Sequence, residues 1–109
     1  MSSLDRVIWY GFSGKGYEYR VFPLNTRFVD QPGNYCFCGQ TSSGWSPKYF
    51  GEAESLRDRL NDRFHERLEC ARRNGATHVA AHINVAGRDA RLAEEADLRK
   101  AFDPPCNRQ

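Results

Sequence analysis

Gly33-Asn34-Tyr35 and Tyr49-Phe50-Gly51 are two short triplets whose tyrosines stand fourteen positions apart, and the residues downstream of them decide how the chain is read. Each triplet alone is common. Ten positions after Tyr49 comes Arg59, within Leu56-Arg57-Asp58-Arg59-Leu60, and farther on come Glu95 and Asn107. A strand that ends in Tyr-x-Gly and feeds a helix with an arginine in its second turn sets a phenol beside a guanidinium. Such a pair suits a phosphate, because a guanidinium makes two parallel hydrogen bonds to its oxygens.

Working outward, residues 34–38 and 47–51 read as strands, and the polar, Gly/Ser-rich stretch 40–46 reads as a long loop bordering a cleft. Residues 17–22 alternate aromatic or branched side chains with charged ones between Gly16 and Pro23, the pattern of a half-buried strand. From residue 54 the period becomes helical and runs to about residue 73, with a stop at Asn74-Gly75. Leu56, Leu60, Phe64 and Leu68 form its core face, Glu54, Asp58, Asp62 and Glu66 its solvent face, and Arg59, Arg63 and Arg67 a third stripe. Residues 77–85 alternate again, with Val79, Ala81 and Ile83 on one face and His78, His82 and Asn84 on the other. His78 and His82 sit about 13 Å apart along such a strand, which suits two unrelated histidines better than a shared metal. A last helix spans 89–102 and ends at Asp103-Pro104-Pro105. At about 100° per residue Leu92, Leu98 and Phe102 centre on one direction, Glu95 points along it, and Glu94 points about 100° away. A carboxylate in a buried stripe is costly unless paired, protonated or bound to a cation. Glu95 is therefore the functional candidate, and a buried salt bridge to Arg59, Arg91 or Arg99 is its structural alternative.

The 109 residues suffice for one domain, and 39% hydrophobic and 28% charged residues indicate a globular protein with neither a membrane span nor extended disorder. Met1-Ser2-Ser3-Leu4-Asp5-Arg6 lacks a basic region followed by an apolar run, so a cytoplasmic location is expected. Cys36, Cys38, Cys70 and Cys106 show no zinc-ligand spacing and are expected to be reduced structural thiols. The net charge of +2 does not by itself point to a polyanion, although a local basic cleft would suffice for one.

The triplets, the interval from Tyr49 to Arg59, the run Arg91-Leu92-Ala93-Glu94-Glu95-Ala96-Asp97-Leu98 and the ending Pro104-Pro105-Cys106-Asn107 together resemble the GIY-YIG nuclease family over residues 32–107, as a small single-domain member. The resemblance implies an α+β fold with a small three-stranded, mostly antiparallel central sheet flanked by helices. Residues 1–31 would be an N-terminal strand extension packing on the core, with Lys15, Arg20 and Arg27 as alternative basic contacts, and residues 32–109 the nuclease domain.

The implied activity is metal-dependent endonucleolytic hydrolysis of phosphodiester bonds in DNA. Glu95 suits a single-carboxylate hold on Mg²⁺ or Mn²⁺, with waters and substrate phosphate as the other ligands. Arg59 suits stabilisation of the phosphoryl group. A tyrosine of ordinary pKa near 10 is a poor base at neutral pH. The resemblance nonetheless implies that Tyr49 acts as base or water-orienting group and that Tyr35 supports water and phosphate. It further implies that Gly51 allows close backbone approach and that Asn107 fixes the C-terminal segment. The family often carries His or Tyr four residues after the arginine, where this chain has Arg63, so His65 and Arg63 are further candidates. The chain departs from the family in Asn34, expected to point away from Tyr35 and to tolerate change, in the long interval between the tyrosines, and in Glu52, whose charge weakens attraction for phosphate. No appended DNA-binding motif is visible, so specificity would have to come from recognition of backbone shape, a flap or a branch, or from a homodimer or a partner protein. A catalytically weak or inactive binding module of the same fold, and a ribonuclease, are the alternatives.

Overall fold

The computed structural model describes residues 4–61 and 65–108. Its five strands are β1 (Asp5–Tyr10), β2 (Gly16–Pro23), β3 (Gly33–Thr41), β4 (Gly44–Ala53) and β5 (His78–Ile83). They form one sheet in the order β1-β2-β5-β3-β4, with every neighbouring pair antiparallel. The fold class is α+β as expected, but the sheet has five strands rather than three. β2 hydrogen-bonds along β5 from Arg20↔Ala81 to Pro23↔His78, so the N-terminal hairpin is part of the central sheet. In β1 only Trp9 is fully buried, while Ile8 and Tyr10 are exposed apolar residues that blur the alternation a sequence reader relies on.

The sheet curls until its two edges meet on one face. Trp9 on β1 packs edge-on against Phe50 on β4, with ring centroids 5.4 Å apart. The Trp45 indole of β4 donates to the Asp5 carboxylate of β1 at 2.8 Å. Period-two alternation then gives two cores, one on each side of the sheet. Trp9, Tyr19, Val21, Cys36, Phe50 and Ala80 line the inside of the curl with Leu98 of α3 (Arg88–Phe102). Tyr35, Phe37, Val79 and Ala81 face the other way, against Phe28, Leu56 and Ala71.

Several expectations are corrected. The stretch 40–46 is not a long loop: β3 and β4 pair as far as Thr41↔Gly44, leaving a two-residue turn, Ser42-Ser43, that the positive φ of Gly44 helps to close. A register shift between Phe37 and Cys38 absorbs the extra residue. The single helix expected over 54–73 is two short ones, α1 (Leu56–Leu60) and α2 (Leu68–Arg73). Ser55 caps α1 by accepting from the Asp58 amide. Asn61 ends it, and its side chain accepts from the Phe28 amide at 3.0 Å. Asp62, Arg63 and Phe64 lie outside the described residues.

Cys70 and Cys106 are not free thiols: they form a disulfide, with Cα atoms 5.9 Å apart, that ties α2 to a 3-10 turn over Pro105–Asn107. Cys36 and Cys38 are free and buried, as expected. Asn34 does point away from Tyr35, but it is fully buried, donating to the Arg91 carbonyl at 2.9 Å and accepting from Asn84 at 3.0 Å. It therefore has little room for change. Among the described residues no helix is long and apolar enough to cross a membrane.

Candidate active site

Tyr35 pairs with Gly51 and Phe37 with Tyr49 across β3 and β4, so the period of two directs both tyrosines to one face. Their rings lie 6.2 Å apart. Gly51 is required by this approach, because a Cβ there would fall on the Tyr35 ring. β4 is the edge strand, and Asn107 closes that edge. Its side chain accepts from the Phe50 amide at 2.8 Å and donates to the Phe50 carbonyl at 2.9 Å. This two-way pairing stands in for a neighbouring strand beside Tyr49 and exempts the edge from a free ladder.

His65 is buried and sits over both phenols, 5.6 Å from each ring. Its Nε2 is 2.6 Å from the Tyr35 hydroxyl. The Arg67 amide donates to Nδ1 at 3.0 Å, so Nδ1 carries no proton and the Nε2–H donates to the Tyr35 oxygen. That leaves the Tyr35 O–H free to serve Tyr49. Burial raises the Tyr35 phenol far above its ordinary value, and Tyr49 adds to the rise while Arg59 opposes it. Tyr49 is raised less, by burial and then by the Glu95 charge, with Arg59 and the Tyr35 hydroxyl pulling it down. Of the two phenols, Tyr49 gives up its proton more readily.

Arg59 comes off the last turn of α1 toward Tyr35, and its guanidinium donates to Glu66 at 2.5 Å. Arg63 lies outside the described residues. Glu95 and Glu94 exchange the settings expected of them. The buried stripe of α3 is Arg91, Glu94 and Leu98, while Leu92 is only partly covered and Phe102 is exposed. Glu94 accepts from the Tyr19 hydroxyl at 2.6 Å and meets His82 Nε2 at 2.6 Å. Glu95 is half-buried at the rim and has no hydrogen-bonding or ion-pairing partner among the described residues. Burial raises its carboxyl pKa, Arg99 lowers it and Glu52 raises it. The three arginines offered as its partners are otherwise engaged: Arg59 with Glu66, Arg91 with Glu52 at 3.0 Å, and Arg99 with the Asn107 carbonyl at 3.1 Å. The Glu52 charge is thus neutralised by a buried arginine, which sequence reasoning missed because 39 positions separate the two.

Among the described residues no three His, Cys, Asp or Glu side chains cluster as a metal cage. An open carboxylate that no side chain bonds fits a cation that brings most of its own oxygen ligands, as Mg²⁺ does. A site with one free carboxylate, one arginine and two linked phenols can hold a hydrated divalent cation and a phosphate side by side.

No protein-family profile and no curated protein matches the chain. Among solved structures it matches the GIY-YIG N-terminal endonuclease domain of UvrC from Thermotoga maritima, determined with its catalytic divalent cation, magnesium. The match has a TM-score of 0.58 and 24% identity, covering 74% of this chain and 88% of that one. The resemblance read from the two tyrosine triplets is borne out in three dimensions: this chain has the fold of a GIY-YIG endonuclease domain.

Proposed function

We propose that the protein is a metal-dependent endonuclease that hydrolyses phosphodiester bonds in DNA. The observation that carries this reading is the convergence at one sheet edge of the Tyr35–Tyr49 pair, His65, Arg59 and the unpartnered Glu95. Glu95 would hold Mg²⁺ or Mn²⁺. When bound, that ion supplies charge neutralisation at the phosphoryl oxygens and lowers the pKa of a water. Arg59 exchanges Glu66 for the scissile phosphate and stabilises the extra negative charge of the transition state. Tyr49 orients the attacking water and accepts its proton only as the phenolate, formed when the phenol first gives its own proton to solvent. Tyr35, held by His65, donates to the Tyr49 oxygen and stabilises that phenolate. Asn107 keeps β4 straight beneath Tyr49.

A second reading, a weakly active or inactive module that binds nucleic acid, is favoured by one contact: Glu66 already occupies Arg59. The test is cleavage of single-stranded, duplex, flapped and branched DNA, and of RNA, with Mg²⁺ or Mn²⁺, comparing wild type with Glu95→Ala and Arg59→Ala. Cutting that needs the ion and both side chains supports the nuclease. Binding without cutting on every substrate favours the module, and cutting of RNA alone would make it a ribonuclease.

A further inference from the structure

The two flanks of the site carry opposite charge. On the α1 side, a cleft of about 500 Å³ is lined by Asp30, Glu54, Asp58 and Arg59. Arg57, its neighbour, is shared between Asp30 at 3.4 Å and Asp58 at 2.9 Å, so the acids outnumber the bases. On the α3 side, a cleft of about 320 Å³ is lined by Ala96, Arg99, Lys100, Asp103, Pro104 and Asn107. Its one acid, Asp103, is paired with Arg108 at 3.1 Å, which leaves two full positive charges. The carbonyl end of α3 opposes an anion there with only about half a unit of charge, so the cations win.

Both cations are oriented. The Arg99 guanidinium is pinned by the Asn107 carbonyl, and the Lys100 ammonium rests over the Phe12 ring at 4.2 Å. Arg99 lies four residues after Glu95, which sets it just over one turn along the same helix face, about 6 Å away. That is within reach of the next phosphate of a strand whose scissile phosphate lies at Glu95. We infer that Arg99 and Lys100 form a second phosphate subsite, and that the cleaved strand leaves the site along the C-terminal half of α3 rather than over α1. This rests on the nuclease reading and adds the path of the substrate to it.

The experiment is nucleic-acid binding by fluorescence anisotropy, in the full chain carrying Glu95→Gln so that nothing is cut. Labelled DNA oligonucleotides are titrated at salt from about 50 to about 200 mM, and log K is plotted against log salt. Arg99→Gln and Lys100→Gln are each expected to flatten the slope by about 0.7–0.9, the release of one counterion per lost phosphate contact. Arg99→Lys should restore it, because the charge returns. Arg6→Gln and Arg20→Gln, on the β1–β2 hairpin, should leave the slope unchanged. Lys100 is exposed and its variant keeps the fold, so its slope decides the matter even if Arg99→Gln melts. Unchanged slopes in Arg99→Gln and Lys100→Gln would overturn the inference while leaving the nuclease reading in place. So would an equal loss in the Arg6 and Arg20 variants, which would put the strand over the hairpin. A parent chain that binds no nucleic acid would remove the nuclease reading itself, and this subsite with it.

Discussion

Glu94 and Glu95 are neighbours in the chain and opposites in the molecule. Glu94 lies inside the curl of the sheet, where Tyr19, His82 and Asn84 converge on its carboxylate and Asn34 and Arg91 extend the network to Glu52. Every buried side-chain polar atom among the described residues has a partner. Around Glu95, one residue on, Tyr49 and Arg99 lie near a carboxylate that neither of them bonds. A satisfied buried charge specifies structure, whereas a half-buried charge left open is a place for a ligand. The comparison teaches that burial alone does not mark a functional acid. On the proposed reading, what marks it is partial burial without a partner.

The sharpest way to break this contrast is to remove each carboxylate in turn. Glu95→Gln should lower metal-dependent cleavage by roughly a thousandfold, about 4 kcal/mol of transition-state stabilisation, with the melting temperature unchanged. Glu94→Gln should do the reverse, costing about 2 kcal/mol of stability in a denaturant titration while the folded fraction still cuts. If Glu94→Gln abolished cleavage in a fully folded protein, the division between structural and functional acid would fail.

A second test separates the two flanks of the sheet by their tethers. The Cys70–Cys106 bridge closes a loop of 36 positions and holds the segment carrying Asn107, so it belongs to the open side. Its loss in Cys70→Ala/Cys106→Ala should cost about 4 kcal/mol by the chain-entropy argument. Melting of the wild type with and without dithiothreitol should show the same drop, and equal melting in both would mean that the bridge is not formed in solution.

The closed side is probed next by Asn34→Ala. It strips a donor from the Arg91 carbonyl and an acceptor from Asn84 in a fully buried spot, and about 1–2 kcal/mol should be lost, again read by denaturant titration. A neutral result would restore the tolerance that the sequence alone suggested.

The smallest effect concerns Glu66, whose carboxyl is lowered from 4.5 to about 2 by the hydrogen bond from Arg59. Because the folded value lies below the unfolded one, the pair adds stability above about pH 4.5 and loses it as pH falls toward 2. The difference in melting temperature between wild type and Glu66→Gln should be small, since Glu66 is exposed, steady near neutral pH, shrinking below about pH 4.5 and gone toward pH 2. A gap that widened on acidification would show that Arg59 and Glu66 are not paired in solution.

Much of the fold could be read from local pattern. The alternation in residues 17–22, 34–38 and 77–85 and the stop at Asp103-Pro104-Pro105 all lie where β2, β3, β5 and α3 are found, because strand and helix periods are properties of a few consecutive side chains. The helical period from residue 54 was misleading past Asn61. There the chain leaves the helix to cap the Phe28 amide, and His65 settles on Tyr35.

By itself, the sequence determined that the two tyrosine triplets lie on strands and that Arg59 follows Tyr49 by ten positions on a helix, since these relations depend on short intervals and local periods. It also carried the resemblance to a GIY-YIG domain that the fold bears out. Only the tertiary structure decided which glutamate is buried and which is open, which arginine neutralises Glu52, which cysteines meet, and why Asn34 is needed. Each of these depends on groups tens of positions apart arriving at one point. A partner for a buried charge is chosen by packing across the sheet, and no local period records it.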